Sequence, residues 1–163
     1  MEPSVSAGIC IIAHEPLASA LKSCARHIFS ATGDTFCDSI AVFDVPCDVD
    51  AEQGEAEARR LISNFPANQD VLVFTDVLGA TPSNIAHRLL DNPQVRVITG
   101  VNLPALITAL SHHEECAARI AVIAEGAARG GISTSCGKPS AIKDITALST
   151  TSSANKPKTE NPP

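Results

Sequence analysis

The chain alternates between short unbroken apolar runs and longer stretches in which apolar positions recur every three or four residues. Residues 7–13, Ala-Gly-Ile-Cys-Ile-Ile-Ala, form a run of the first kind, as a strand covered on both faces requires. Leu17, Leu21, Cys24 and Ile28 then recur at helical spacing, and Gly33 closes the segment. A second strand is predicted over 39–45, and a second helix carries Ala58, Leu61, Ile62 and Phe65 before stopping near Pro66. Val-Leu-Val-Phe at 71–74 is the third strand, ending at Thr75-Asp76. Thr81-Pro82 opens a third helix with Thr at the N-cap and Pro at the first helical position, followed by Ile85, Ala86 and Leu89 on one face. Residues 95–98 make the fourth strand, and Asn102 is placed to cap a helix carrying Leu103, Leu106, Ile107 and Leu110. Residues 114–128 read as helical, although 120–124 would also suit a strand, and 132–135 suit a last short one. From Gly137 onward Ser, Thr, Lys and Pro dominate without periodicity. The reading is therefore one domain over 1–136 and a disordered tail over 137–163.

Four β-then-α units in succession imply an α/β fold, doubly wound around a mainly parallel sheet with helices on both faces. In such sheets ligands bind beyond the carboxyl ends of the strands, where the strand order reverses. That rule singles out His14, the segment Asp76 to Thr81, and Gly100-Val101-Asn102. His14 follows the first strand directly and Asp76 follows the third, so neighbouring strands would bring them together. A carboxylate that accepts from Nδ1–H holds an imidazole neutral and leaves the Nε2 lone pair available, which makes a phosphoryl acceptor. Gly79-Ala80-Thr81-Pro82 leads into a helix N-terminus with backbone N–H groups and a hydroxyl to hold an anion. The turn at Gly100 to Asn102 offers a second such place. Taken singly each signal is weak, because a His after a strand is more often packed or capping and an Asp beside a Gly turn is usually turn chemistry.

Composition narrows the alternatives. The net charge is −6, and the tail from 138 holds four Lys against Asp144 and Glu160, so the remainder is more acidic still. An acidic body without Trp or Tyr, and with only five Phe, argues against nucleic acid or an anionic membrane as partner. The six Cys form no CxxC pair, and Cys10 and Cys24 sit within apolar patterns, where a free Cys behaves as a small hydrophobe. With no leader-like opening and no apolar run of spanning length, reduced thiols in a cytoplasm are expected, with no metal and no cofactor.

Three ordered motifs then resemble one family. Gly8-Ile9-Cys10-Ile11-Ile12-Ala13-His14-Glu15-Pro16-Leu17-Ala18 is similar to its strand–His–Gly–x–Leu–Ala opening. Thr75-Asp76-Val77-Leu78-Gly79-Ala80-Thr81-Pro82-Ser83-Asn84 resembles its second signature, and Val97-Ile98-Thr99-Gly100-Val101-Asn102-Leu103-Pro104 its third. The family is the mannose-type (fructose/mannose/sorbose) IIA component of the bacterial phosphoenolpyruvate-dependent sugar phosphotransferase system (PTS), and the match spans roughly residues 7–135. The resemblance implies a phosphotransferase acting through phosphohistidine: His14 accepts phosphate from the phosphocarrier HPr and passes it to a IIB component or serves a regulatory target. It implies that Asp76 orients the ring and that Thr81 with its following backbone holds the phosphate, which together with the two anion-binding turns makes Thr81, Gly79, Ala80, Ser83 and Asn102 the expected phosphate-binding residues. It also implies a homodimer, with four parallel strands and a short antiparallel strand, best fitted by 132–135, exchanged between subunits. Glu15-Pro16 departs from the Gly that usually follows the active His. The remaining histidines, His27, His87, His112 and His113, read as surface or packing residues.

Two rivals remain at this stage. One is a receiver-like domain phosphorylated on Asp76, which would need a Mg²⁺-binding acidic cluster that the first strand's His-Glu ending does not supply. The other is a non-catalytic interaction module of the same fold.

Overall fold

A computed structural model describes residues 6–33 and 35–135. Contacts divide the chain into a unit ending at Ile132 and a second beginning at Ser133. Of the second, the described residues 133–135 carry no regular structure, and the expected tail from 137 lies outside the described residues.

The first unit runs β1 (Gly8–His14), α1 (Leu17–Phe29), β2 (Ala41–Val45), α2 (Ala51–Ile62), β3 (Val71–Thr75), α3 (Thr81–Arg88), β4 (Val95–Thr99), α4 (Leu103–Ser111) and α5 (Ala117–Gly130). Single 3₁₀ turns at Ser30–Thr32, Phe36–Ser39 and Leu89–Asp91 punctuate the connections. The sheet order is β2-β1-β3-β4, and each neighbouring pair is parallel. The chain moves outward from β1 to β2 and then returns to the far side of β1 with β3. The switch point therefore lies between β1 and β3, as the α/β reading requires.

Because side chains alternate along a strand, β1 and β3 each feed two cores. Ile9, Ile11, Ala13, Leu72 and Phe74 pack against α1, α4 and α5. Cys10, Ile12, Val71 and Val73 pack against α2 and α3. Close approach on the second side depends on Gly54 of α2, where a Cβ would stand 2.5 Å from Ile85 Cδ1. Burial on both faces explains why β1 and β3 read as unbroken apolar runs.

Several expectations need correction. The buried stripe of α1 is Ala18, Leu21 and Ala25, whereas Leu17, Cys24 and Ile28 are exposed. Larger residues attracted the periodicity reading, but small Ala side chains are what let the helix sit close on the sheet. The helix at α3 is capped at Ala80, which puts Thr81 and not Pro82 at the first helical position. Residues 120–124 are helical, within α5, because Ile120 and Ala124 lie one turn apart on a single buried face. Residues 132–135 form no strand in the single chain, and Ile132 is exposed.

Candidate active site

The four strands end together, and the loops that leave β1, β3 and β4 are stitched to one another. Gly100 N–H donates to the carbonyls of Thr75 and Asp76, and Val101 N–H to that of Thr75. Gly79 and Gly100 have φ of +85° and +86°, a left-handed backbone in which a side chain is strained. Their positions let the chain double back above the sheet without moving the strand ends.

In the parallel register Ile12 faces Thr75, so the residues after each, Ala13-His14 and Asp76, meet at the switch point. Asp76 Oδ2 accepts from the His14 backbone N–H at 2.9 Å and stands 2.6 Å from His14 Nδ1, while Oδ1 accepts from Val77 N–H at 2.7 Å. The Asp76 side chain is 8 % exposed and the His14 side chain 49 %. Burial alone would raise the Asp76 pKa. The hydrogen bonds from the His14 backbone, the His14 ring and the Val77 backbone outweigh it and hold the carboxyl below its ordinary value. An ionised carboxylate only accepts, so the proton between the two groups belongs to Nδ1. Among the described residues Nε2 has no intrachain partner. The pair is thus a carboxylate-oriented imidazole whose outer nitrogen faces the surface.

The other residues singled out in the sequence fall into two groups. Gly79, Ala80 and Thr81 form the turn into α3, held by Ala80 N–H on Val77 O and by Asn84 Nδ2 on Gly79 O. Ala80 offers no side-chain cap, and in the first turn only Thr81 is exposed: Pro82 has no N–H, and Ser83 is out of solvent. Ser83 is buried, and its hydroxyl turns along the helix to His87 Nδ1 at 3.3 Å. Asn102 is committed elsewhere: Oδ1 caps α4 at Ala105 N–H, and Nδ2 donates to Ala128 O of α5. The Ser83 hydroxyl and the Asn102 side chain are therefore both engaged within the fold.

Asp44 and Ser19 went unread in the sequence, and Cys47, which is exposed, entered it only as one of six thiols. Asn84 was visible only as a letter of the second motif, and its link to Gly79 is the kind of local turn bond that an Asn five residues on can make. Cys47 shares a cavity of about 420 Å³ with His14, Glu15, Pro16 and Val45. Two further cavities, about 410 and 570 Å³, open at the opposite end of the sheet around Phe65 and Gln69, away from the His14–Asp76 pair. Among the described residues no three His, Cys, Asp or Glu side chains are grouped to hold a metal ion. With both its oxygens engaged, Asp76 is also poorly disposed to act as the nucleophile of a receiver-like reaction.

Comparison with known proteins places this geometry. Residues 8–126 match the family described as PTS system fructose IIA component. Among solved structures the chain is similar to the mannose/sorbose specific IIA subunit of the phosphotransferase system from Enterococcus faecalis, at 20 % identity and a TM-score of 0.71, covering 80 % of this chain and 96 % of that one. It is also similar to the PTS IIA protein associated with the fucose utilization operon of Streptococcus pneumoniae, at 23 % identity and a TM-score of 0.62, covering 74 % and 90 %. A sigma-54 interaction domain protein from Enterococcus faecalis shares the fold at 11 % identity and a TM-score of 0.65, covering 78 % and 94 %. No curated protein matches the sequence significantly.

Proposed function

Since the chain belongs to the fructose- and mannose-type IIA components of the sugar phosphotransferase system, we propose that it carries a phosphoryl group on His14 Nε2, taken from HPr and passed to a IIB component or used in regulation. The observation that carries this reading is the His14–Asp76 pair at the switch point. With Nδ1–H held on Asp76, the Nε2 lone pair attacks phosphorus. The N–P bond forms, the bond to the donor atom breaks, and its electron pair leaves with the donor. The ring gains positive charge, which the buried Asp76 carboxylate stabilises without itself taking the proton. The uncapped first turn of α3, with the hydroxyl and N–H of the exposed Thr81, suits the equatorial oxygens. Asn102 supports the opposite wall through α4.

No helix among the described residues is long and apolar enough to cross a membrane. A cytoplasmic homodimer fits the proposal, the edge of β4 being the surface on which a strand from a second copy would pair. The test is incubation with phosphoenolpyruvate, enzyme I and HPr. One acid-labile, alkali-stable phosphate is expected, absent from a folded His14→Ala protein. Label retained in that variant, or label that appears only with Mg²⁺ and acetyl phosphate and vanishes in Asp76→Ala, overturns the assignment.

A further inference from the structure

Two helix N-termini flank His14: α1 begins at Leu17, three residues along the chain, and α3 begins at Thr81 beyond Asp76. Both positive ends could attract a phosphoryl group, yet they are treated differently. The residue at the α1 N-cap is Pro16, which makes no side-chain cap, and the first turn of α1 holds no acidic residue of its own. Asp44, in β2, supplies what is missing. Its Oδ1 accepts from Ser19 N–H at 3.0 Å, and its Oδ2 accepts from Ser19 Oγ. Ser19 is the third helical residue, whose N–H an N-cap side chain normally satisfies. A carboxylate there also offsets the positive end of the helix dipole. At α3 the N-cap is Ala80, again without a side-chain cap, and the first turn again lacks an acid. Nothing closes it.

We propose that Asp44 is a positioning residue for phosphoryl transfer at His14: it caps α1 from the neighbouring strand, so that the phosphoryl group meets an open helix N-terminus only on the α3 side. The proposal rests on the reading of His14 as phosphoacceptor. Alternation along β1 and β2 supports it, since Asp44 lies on the α1 face of the sheet, whereas His14 follows Ile12 onto the α3 face. Closing α1 leaves the group bound on one side and correspondingly easier to pass on. The connection from His14 to α1 is only Glu15-Pro16, so the same cap also pins the far end of the segment that carries the acceptor.

The sign of the effect separates this role from a merely structural one. Damage to the fold lowers phosphorylation. Removing the Asp44 charge should instead raise the phosphorylated fraction of His14 at a fixed phosphoenolpyruvate-to-pyruvate ratio, by about two- to fivefold at low salt and by less at high salt. Asp44→Asn keeps an acceptor for Ser19 N–H and tests the charge, and Asp44→Ala tests charge and cap together. Hydrogen exchange at Ser19 N–H reads the cap directly and should quicken in Asp44→Ala. Phosphoramidate, a chemical donor, is run beside HPr so that failure of the protein donor is not mistaken for failure of the site. If neither donor labels wild-type His14, the functional reading falls and the transfer role of Asp44 with it, while the Ser19 exchange still decides the cap. If wild type is labelled but both folded variants show an unchanged or lower phosphorylated fraction, the proposal for Asp44 is overturned. Unaltered Ser19 exchange in Asp44→Ala overturns the cap.

Discussion

Asp76 concentrates more of the local chemistry than any other single residue. It joins three hydrogen bonds at a side chain that is almost out of solvent, so Asp76→Asn should slow phosphotransfer by about 10²–10⁴-fold, the usual loss on removing one positioned acid–base partner. It should also destabilise the fold at neutral pH by about 1–3 kcal/mol, because an amide presents an N–H₂ to donors that a carboxylate accepts. The pH dependence has a defined sign. The folded pKa of Asp76 lies below its ordinary 3.8, so its stabilisation is complete above that value and is lost as pH falls through the lower folded one. Thermal melts of wild type and variant should therefore converge in acid. A gap that stays constant down to pH 2 would mean that the charge of Asp76 contributes nothing. The neighbouring Thr75 behaves in the opposite way: its hydroxyl is fully buried and has no partner among the described residues. Thr75→Val keeps the shape and removes the orphan, so it should raise stability by about 1 kcal/mol in a denaturant titration. A loss of stability would reveal a partner for that hydroxyl. Both residues lie at a strand end that was legible in the sequence. Their different accounts were not, because which oxygen meets which donor depends on register between strands.

At the scale of elements, α2 and α3 are joined by a chain of ion pairs. Glu55 bonds Arg59 and Arg88, and Arg59 reaches Asp91 beyond the end of α3. Hydrogen bonds from Arg59 and then Arg88 hold the Glu55 carboxyl below its ordinary 4.5. Its contribution is present above that value and lost as pH falls through the lower folded one. Glu55→Gln should lower the melting temperature at low salt, by less at high salt, and not at all once the wild-type carboxyl is protonated. A melting difference independent of salt would show that packing, not charge, joins the helices there. The β4–α4 turn has a backbone constraint instead. A Cβ at Gly100 would meet nothing within 4 Å, so Gly100→Ala isolates the strain of a φ of +86°. About 1 kcal/mol should be lost, with the Gly100 N–H bonds to Thr75 and Asp76 the first to weaken. An unchanged denaturation midpoint would mean that the turn relaxes without cost. Helix identities were readable from spacing, but their faces were less so. In α1 the sheet selects Ala18 and Ala25 over Leu17 and Ile28, because only small side chains allow the helix so near.

For the whole molecule, the outer edge of β4 is unpaired among the described residues, and an unpaired edge is a template for a strand from another copy. If that strand comes from 132–135, truncation after Ser135 should preserve both the dimer and the labelling of His14. Truncation after Gly130 should shift sedimentation toward monomer. Equal behaviour of the two truncations would place the exchanged segment elsewhere.

Sequence alone determined the α/β order and put His14 and Asp76 at strand ends, where they meet. Apolar runs report strands buried on both faces, and His14 and Asp76 stand at the ends of two of them. Both signals are local and survive without knowledge of packing. Only the tertiary structure decided that Asn102 spends its amide on α4 and α5, that Ser83 turns its hydroxyl along α3, and that Asp44 caps a helix whose Ser19 lies 25 residues earlier in the chain. Those bonds form between elements brought together by the parallel sheet. Nothing in the spacing of residues along one element records which polar group its neighbour will present.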